Sequence, residues 1–459
     1  MSVSVVILAA GAGTRMKSQT PKVLHRICGK EMLFYSIDEA LELSDDVHIV
    51  LFHQKDLIKD RVLKHYGDSH KNGVLHFHIQ DCENFPGTGG ALMQGANLVK
   101  GRDLESSRKS SPKQLFTCKY DEILILNGDM PLVRAQTLKN LCEPNAPIVM
   151  SILHLSCPNG YGRVLIKEGK MQKIIEQKDA SAQELLIQDV NAGVYKIKKN
   201  ILQDYLQRLE NTNAQKEFYL TDVISFATQD NVEIKALQVN EEEFMGVNSK
   251  SQLAAAQEVM LHRLREAAME QGVIMHLPHT IYIESAVRFL GECIIEQGVQ
   301  ISGECEIKDS HIKAHSIIES SIIESSDVGP LAHIRPKSRI KDTHIGNFVE
   351  TKASVLNGVK AGHLSYLGDC EVESGSNIGA GFITCNYDGK GKHKSIIGKN
   401  VFVGSDVQLV APVKIASNVL IGAGSTITKD VNEGDLVLSR VPQKHIPNGF
   451  FKFFGKKDS

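Results

Sequence analysis

Residues 397–432 read IGKNVF, VGSDVQ, LVAPVK, IASNVL, IGAGST, ITKDVN, six consecutive units of six residues. An aliphatic residue opens each unit: Ile397, Val403, Leu409, Ile415, Ile421 and Ile427. A second set follows four positions later: Val401, Val407, Val413, Val419, then Ser425 and Val431. Neither the 3.6-residue period of a helix nor the two-residue period of a simple strand produces this spacing. A coil of short strands joined by tight turns does, with each unit forming one flat side. The first residue of a unit then points inward, the second fills a corner, and the Gly, Asn and Asp beside them suit sharp or left-handed turns. One unit cannot bury its own apolar side, so the core arises from stacking of coils.

The rhythm extends upstream through Ile378, Val372 and Leu367, and through Ile340, Ile334, Val328 and Ile322. It continues in Val299, Cys293, Val287 and Ile281, with five-residue steps at Ile307, Ile312, Ile317 and Ile322. A core of small aliphatic side chains also accounts for the absence of Trp and for an aromatic content of only 6%. The pattern resembles the hexapeptide-repeat proteins that form a left-handed parallel β-helix. That resemblance, rather than the period, implies the handedness. It also implies a homotrimeric acyltransferase with active sites between subunits.

At 459 residues the chain is too long for one ordinary core, which predicts at least two domains. A net charge near -2 supplies no global positive field for nucleic acid or acidic lipid, so neither partner is expected. No cationic leader with an apolar run opens the sequence, and no 18-residue apolar run occurs. The nine cysteines are scattered, without CxxC spacing, which suits a reducing cytoplasm. Residues 249–271, rich in alanine and with a partial apolar stripe, predict a helix that Gly272 stops. The expected division is 1–248, a linker helix at 249–271, a β-helix at 272–440 and a tail at 441–459. The long helix reads as a connector holding the two bodies apart.

The N-terminus opens with a buried-strand pattern, Val3 to Leu8, followed by AAGAGTRM and PKVL. Small residues after a parallel strand let the backbone approach phosphates, and Arg15 and Lys22 can neutralise them. The segment lacks the third glycine of GxGxxG and the GK[ST] of a P-loop. LAAGAGTRM with PKVL resembles the sugar-nucleotide pyrophosphorylases, whose fold is an α/β, Rossmann-like mixed sheet. Further matches follow in order. They are Gln80, GTGGA at 87–91, LILNGDMPL around Asp129, GYGR at 160–163, IIEQKDA around Glu176, VNAG around Asn191, EFYLTD at 217–222 and GVN ending at Asn248. Gly90 stands where that family often has histidine and Asn127 where it commonly has an aromatic residue. The stretch from Gln80 to Gly87 is two residues longer than the usual form.

The resemblance implies that Leu8, Ala9, Gly11, Arg15, Lys22, Gln80, Gly87 and Thr88 bind UTP, with Gln80 on the uracil edge. Gly162, Glu176 and Asn191 would hold N-acetylglucosamine 1-phosphate, and Asp129 and Asn248 would hold Mg²⁺. Read alone, Asp129 also suits a turn, Arg15 and Lys22 suit a solvated surface, and Asn248 suits a cap for the following helix.

Polar departures interrupt the repeat between Lys360 and Arg440. KAGHLSYLGD places His363 and Tyr366 where a coil interior would take small aliphatics, and CNYDGKGKHK at 385–394 is an excursion of about eight residues. Loops projecting from a rigid coil are natural binding elements. His363 is the best proton acceptor on offer, although one of eighteen histidines can equally be structural.

AGHLSYLGD, NIGAG, ITCNYDG, VGSD and SRVP, together with the first domain, make residues 3–447 closely resemble one family. It is the family of bifunctional bacterial N-acetylglucosamine-1-phosphate uridyltransferases and glucosamine-1-phosphate acetyltransferases, which make UDP-N-acetylglucosamine. The resemblance implies His363 as general base. Arg335, Lys352, Tyr366, Asn377 and Lys392 would bind glucosamine 1-phosphate. Ala380, Asn386, Tyr387, Ser405, Ala423 and Arg440 would bind acetyl-CoA. No acyl-enzyme is implied, and Cys385 receives no role. Rival readings are a uridylyl- or thymidylyltransferase with another acyl acceptor, and a regulatory subunit without chemistry. The aromatic, basic tail after Gly449 matches nothing.

Overall fold

Val3–Leu8 is apolar on both faces because both faces are covered, the usual state of a parallel central strand. Val5 and Ile7 enter one apolar core and Val6 the other. The computed structural model describes residues 2–93, 113–167 and 170–455. These fall into two units, Met1–Met260 and Leu261–Ser459.

In the first unit the strands run in the order Ile234–Gln238, Ile148–His154, Asp189–Lys198, Glu122–Asn127, Val3–Leu8, Val47–Leu51, Leu75–Ile79. Asp189–Lys198 runs antiparallel to both neighbours, so the sheet is mixed. A hairpin, Arg163–Lys167 with Lys170–Ile175, pairs onto it. Helices Met32–Leu43 and Ala135–Cys142 cover one face; Lys199–Arg208 and Asp222–Gln229 cover the other.

The second unit is the left-handed parallel β-helix. Among the described residues, three parallel sheets of ten, nine and eight strands form the sides of the prism. Ile397 pairs with Ile415, and Val403 with Ile421, eighteen residues on, so three six-residue units make one coil. Every aliphatic residue of the two sets in 397–432 is buried. Upstream coils shorten to sixteen or seventeen residues, as in Leu356 to Val372 and Ala361 to Ile378.

Three aliphatic positions of the rhythm differ from the sequence expectation, Val287 being only partly buried against the core. Ile318 and Ile323 fill the core, whereas Ile317 and Ile322 are only half-buried. In the twin segments SIIES and SIIES either isoleucine satisfies the period, and only register with Ile301 and Ile307 below selects the second. Left-handed corners are also not confined to Gly, Asn and Asp: Leu331, Phe348 and Leu364 adopt φ of 58°, 57° and 47°. A coil's hydrogen bonds to its neighbours hold these residues there; Leu364 N–H, for example, donates to the Asn347 carbonyl at 3.0 Å.

The predicted helix spans Lys250–Glu270, and the division between units falls inside it. Cys28 Sγ lies 3.9 Å from the Gln257 carbonyl in the first unit, while Ala268 belongs to the core of the second.

Candidate active sites

The loop after Val3–Leu8 continues through two short turns, Thr14–Met16 and Lys22–Leu24. Gly13 has φ of 62°, and a Cβ there would stand 2.6 Å from Lys22 Cβ. Glycine therefore lets Lys22 fold back over the loop. All eight residues assigned to UTP line one cavity of about 660 Å³. A second cavity of about 230 Å³ holds Gly162, Glu176, Asn191 and Asn248. Arg15, Asn127, Asp129 and Gly160 line both. The two cavities thus adjoin at Asp129 and Arg15.

Asp129 follows strand Glu122–Asn127, and its backbone carbonyl accepts from Val247 N at 2.9 Å. That bond brings Asn248 beside it across more than a hundred residues. Lys22 Nζ donates to Asp129 Oδ2 and, at 3.1 Å, to Asn248 Oδ1. One cationic point therefore already reaches both oxygens, a hard-donor pair that suits Mg²⁺ completed by phosphate oxygens and water. The cap for the following helix is Ser249, whose Oγ accepts from Gln252 N at 3.2 Å. Gln252 Oε1 accepts from Asn248 N at 2.9 Å, so the Asn248 side chain stays free of capping. Gln252 also lines the second, smaller cavity. Its sequence signal is the S-x-x-Q spacing of a capping box.

Gln80 is buried at the end of strand Leu75–Ile79, and its Nε2 donates to the carbonyls of Phe85 and Gly87, at 3.0 and 2.9 Å. Both amide protons are thereby used on the 81–87 loop. Only the Oε1 acceptor remains for a ligand, where the sequence had offered donor and acceptor alike. The same loop explains Gly90, because a Cβ there would lie 2.0 Å from the Phe85 carbonyl oxygen. Phe85 thus occupies the space that any side chain at position 90 would need. Thr88 Oγ1 accepts from Leu220 N at 3.1 Å, tying this wall to the EFYLTD segment.

At the smaller cavity, strand Asp189–Lys198 shifts register between Asn191 and Tyr195, and Asn191 lines the cavity beside this bulge. Asn191 N donates to the Gly162 carbonyl at 2.9 Å. Glu176 accepts from Thr221 Oγ1 at 3.1 Å, and burial pushes its carboxyl above the usual range. Asp222 is raised to about 6, chiefly by burial and then by Asp179.

In the solenoid, His363 and Tyr366 are not interior. Ala361, Ser365 and Leu367 fill the core at those turns, while His363 is exposed and Tyr366 half-buried. The sixteen-residue step from Ile345 to Ala361 and from Thr351 to Leu367 fixes that register and turns the polar pair outward. Among the described residues the His363 ring has no hydrogen-bond partner. The excursion at 385–394 makes one coil of twenty-five residues, from Val372 to Ile397.

The residues carried over divide between two places on the prism. His363, Ala380, Ser405 and Ala423 lie at the corner joining the ten- and nine-stranded sheets, one per coil, and Asn377 lies on a strand leading to it. Arg440 Nη1 donates to the Ala423 carbonyl there at 2.8 Å. Arg335, Lys352, Asn386 and Tyr387 lie at or just past the far ends of strands in the nine-stranded sheet. Lys392 closes onto Lys352 and is the main cause of that ammonium's lowered pKa, with Arg335 adding to it. Three cations facing one another form a place for an anion, although Glu350 pairs with Arg335 at 2.7 Å and Asp369 offsets part of the charge on Lys352. Gly368 leaves the room into which the Tyr366 hydroxyl and the Asn386 amide converge.

Residues 5–186 match the MobA-like NTP transferase domain family, and residues 394–429 match the bacterial transferase hexapeptide family, with six repeats. A protein of Helicobacter hepaticus named bifunctional protein GlmU is 70% identical over 458 residues, covering 100% of this chain and 99% of that one. Proteins of the same name from Nitratiruptor sp. and Helicobacter pylori are each 53% identical. They cover 99% of this chain and 100% and 99% of their own.

Proposed function

Because the chain belongs to the GlmU family of bifunctional transferases, we infer that it makes UDP-N-acetylglucosamine by two transfers on its two units. The solenoid moves the acetyl group of acetyl-CoA to the amine of glucosamine 1-phosphate. The α/β unit then joins the product to the uridylyl group of UTP and releases pyrophosphate. The working division is 1–248 for uridylyl transfer and 272–440 for acetyl transfer, joined by the helix within 249–271.

The observation that carries the first half is the pair of cavities sharing Asp129 and Arg15. A phosphate oxygen of the sugar attacks the α-phosphorus and pyrophosphate leaves, a displacement governed by alignment and charge neutralisation. Arg15 and Lys22 hold the phosphates, Glu176 and Asn191 orient the sugar, and Gln80 Oε1 accepts the imide N–H of uracil. A cytosine ring has no proton at that position, so Gln80 favours UTP over CTP. Asp129 and Asn248 would hold Mg²⁺, which when bound with the triphosphate draws charge from its oxygens.

In the second half His363 takes a proton as the sugar amine attacks the thioester carbonyl, then the C–S bond breaks and that proton passes to the departing sulfur, so CoA leaves as the thiol. Arg335, Lys352 and Lys392 hold the sugar phosphate, with Tyr366 and Asn377 on the sugar; Asn386, Tyr387, Ala380, Ser405, Ala423 and Arg440 receive acetyl-CoA. Transfer is direct, a reading supported by Ser365, whose Oγ is buried and donates to the His363 and Gly379 carbonyls rather than facing a thioester.

The working assembly is a homotrimer with acetyl-transfer sites between subunits. Exposed Leu331, Phe348 and Leu364 succeed one another at the His363 corner, one per coil, and a neighbouring chain would cover them. The enzyme acts in the cytoplasm, where free cysteines persist and these substrates occur; none of the nine is in a disulfide, and no described helix is long and apolar enough to cross a membrane. The test is to assay the half-reactions separately in Asp129→Ala and His363→Ala. The first should abolish uridylyl transfer alone and the second acetyl transfer alone. Equal loss of both activities in a folded variant would refute the two-site assignment.

A further inference from the structure

Phe52 is a large apolar side chain that the packing of the first unit does not account for. It follows strand Val47–Leu51 and precedes helix Lys55–Lys71. It is 43% exposed and is a member of neither apolar core of that unit. Its surface forms part of a wall instead. Among the described residues lining the cavity of about 660 Å³, Phe52 is the only aromatic one.

Topology sets this ring between the two features that a nucleotide must meet. The strand before Phe52 lies between the strand leading to the phosphate loop and the strand leading to Gln80. Ala9 N–H donates to the Val50 carbonyl on one side and Gln80 N–H to the Leu51 carbonyl on the other, each at 2.9 Å. Leu51 pairs in register with Ile79, so Phe52 stands opposite Gln80 one residue further on. Neighbouring strands are about 4.8 Å apart, which brings a flat ring whose edge meets Gln80 within contact of the Phe52 side chain. The turn that carries Phe52 is held in place. Its carbonyl accepts from Lys55 N at 3.3 Å, and Gln54, at φ of 49°, donates from Nε2 to the Gln19 carbonyl at 3.3 Å.

Gln80 spends its amide protons on the 81–87 loop and keeps an acceptor for the edge of a base. An edge contact leaves the face of the ring to be covered, and an aromatic side chain covers it whichever base is present. We propose that Phe52 stacks on the uracil face of UTP, supplying affinity for the base while Gln80 reads its edge. The inference rests on the uridylyl-transfer reading of this cavity.

The chain contains no Trp, so the full-length variant Phe52→Trp carries its one indole at this wall. Its fluorescence should be quenched by UTP and by uridine, and not by tripolyphosphate, which brings the charge without a base. Calorimetric titration with UTP and Mg²⁺ should give a Kd about tenfold higher in Phe52→Ala than in the unaltered chain, restored in Phe52→Tyr. Phe52→Ala should keep its affinity for tripolyphosphate, its ratio of UTP to CTP affinity and its acetyl transfer. Equal losses of UTP and tripolyphosphate binding in Phe52→Ala would make Phe52 a prop for the phosphate loop and overturn the stacking role. Quenching by tripolyphosphate to the same extent as by UTP, or UTP binding unchanged in Phe52→Ala, overturns it too and leaves the uridylyl-transfer reading standing. If the unaltered chain binds no UTP, both fall.

Discussion

The two candidate sites are built on opposite plans. In the α/β unit, loops at strand ends enclose two adjoining cavities, and residues as distant in sequence as Lys22, Asp129 and Asn248 touch within one chain. In the solenoid the backbone is more regular, yet His363 stands exposed at one corner while Arg335, Lys352 and Lys392 collect at the other end of the same sheet. A mixed sheet with helices on both faces can fold its connections over a ligand. A narrow prism filled by its own side chains keeps its polar groups on the outside, where a second prism can be placed to complete a concave site.

Mixing experiments would break or sharpen that contrast with the largest effect. His363→Ala and Lys392→Met chains should each lose acetyl transfer by about 10²-fold or more. Co-expressed, they should recover about a quarter of it, because heterologous interfaces in a mixed ring pair an intact His363 with an intact Lys392 from its neighbour. The corresponding mixture of Asp129→Ala with Lys22→Met chains should recover no uridylyl transfer. Recovery of uridylyl transfer, or failure of acetyl transfer to recover in mixed oligomers of normal size, would contradict the difference in plan.

A smaller effect tests how tightly the first site is closed. Gly90→Ala forces a Cβ against the Phe85 carbonyl, and the loop that moves in response also anchors Gln80. The KM for UTP should rise about tenfold, the loss of about one hydrogen bond to the base, with acetyl transfer unaffected. An unchanged KM would show that the 81–87 loop does not position Gln80.

Legibility in the sequence followed the same contrast. The solenoid announces itself because one six-residue unit recurs, and its core could be named almost residue by residue. It failed at Ile317 and Ile322, where a doubled isoleucine satisfies the period twice and only stacking on the coil below decides. His363 and Tyr366 were visible as departures from the repeat, but their direction was not, since being polar in an apolar rhythm does not say which way a side chain faces. In the first unit the motifs along 8–248 indicated the cavity residues. The bond from Val247 to Asp129 joins distant segments, which no local pattern encodes. The cap by Ser249 is local and signalled by S-x-x-Q, whereas the approach of Phe85 to Gly90 depends on how the 81–87 loop folds.

The smallest effect is also the most discriminating, because one chemical change should act with opposite sign in the two regions. Asp222 beside the sugar side of the first unit is raised to about 6, by burial and then by Asp179. Its folded pKa exceeds the unfolded value, so its charge costs stability above about pH 6 and costs nothing once both states are protonated below about pH 4. Asp222→Asn should therefore raise the melting temperature at pH 8, with the gain fading toward pH 4. In the solenoid, burial alone would push Asp327 upward, but hydrogen bonds from Lys313 and His344 outweigh it and hold the carboxyl below its ordinary range. That group contributes stability above about pH 4, which is lost as pH falls through the lower folded value. Asp327→Asn should thus lower the melting temperature at pH 8 by a few degrees at most, as for an ion pair open to solvent, and the deficit should shrink in acid. Scanning calorimetry of both variants across this pH range reads the two signs directly; the same sign at pH 8 would mean that the enclosed and the exposed plan do not treat charge differently.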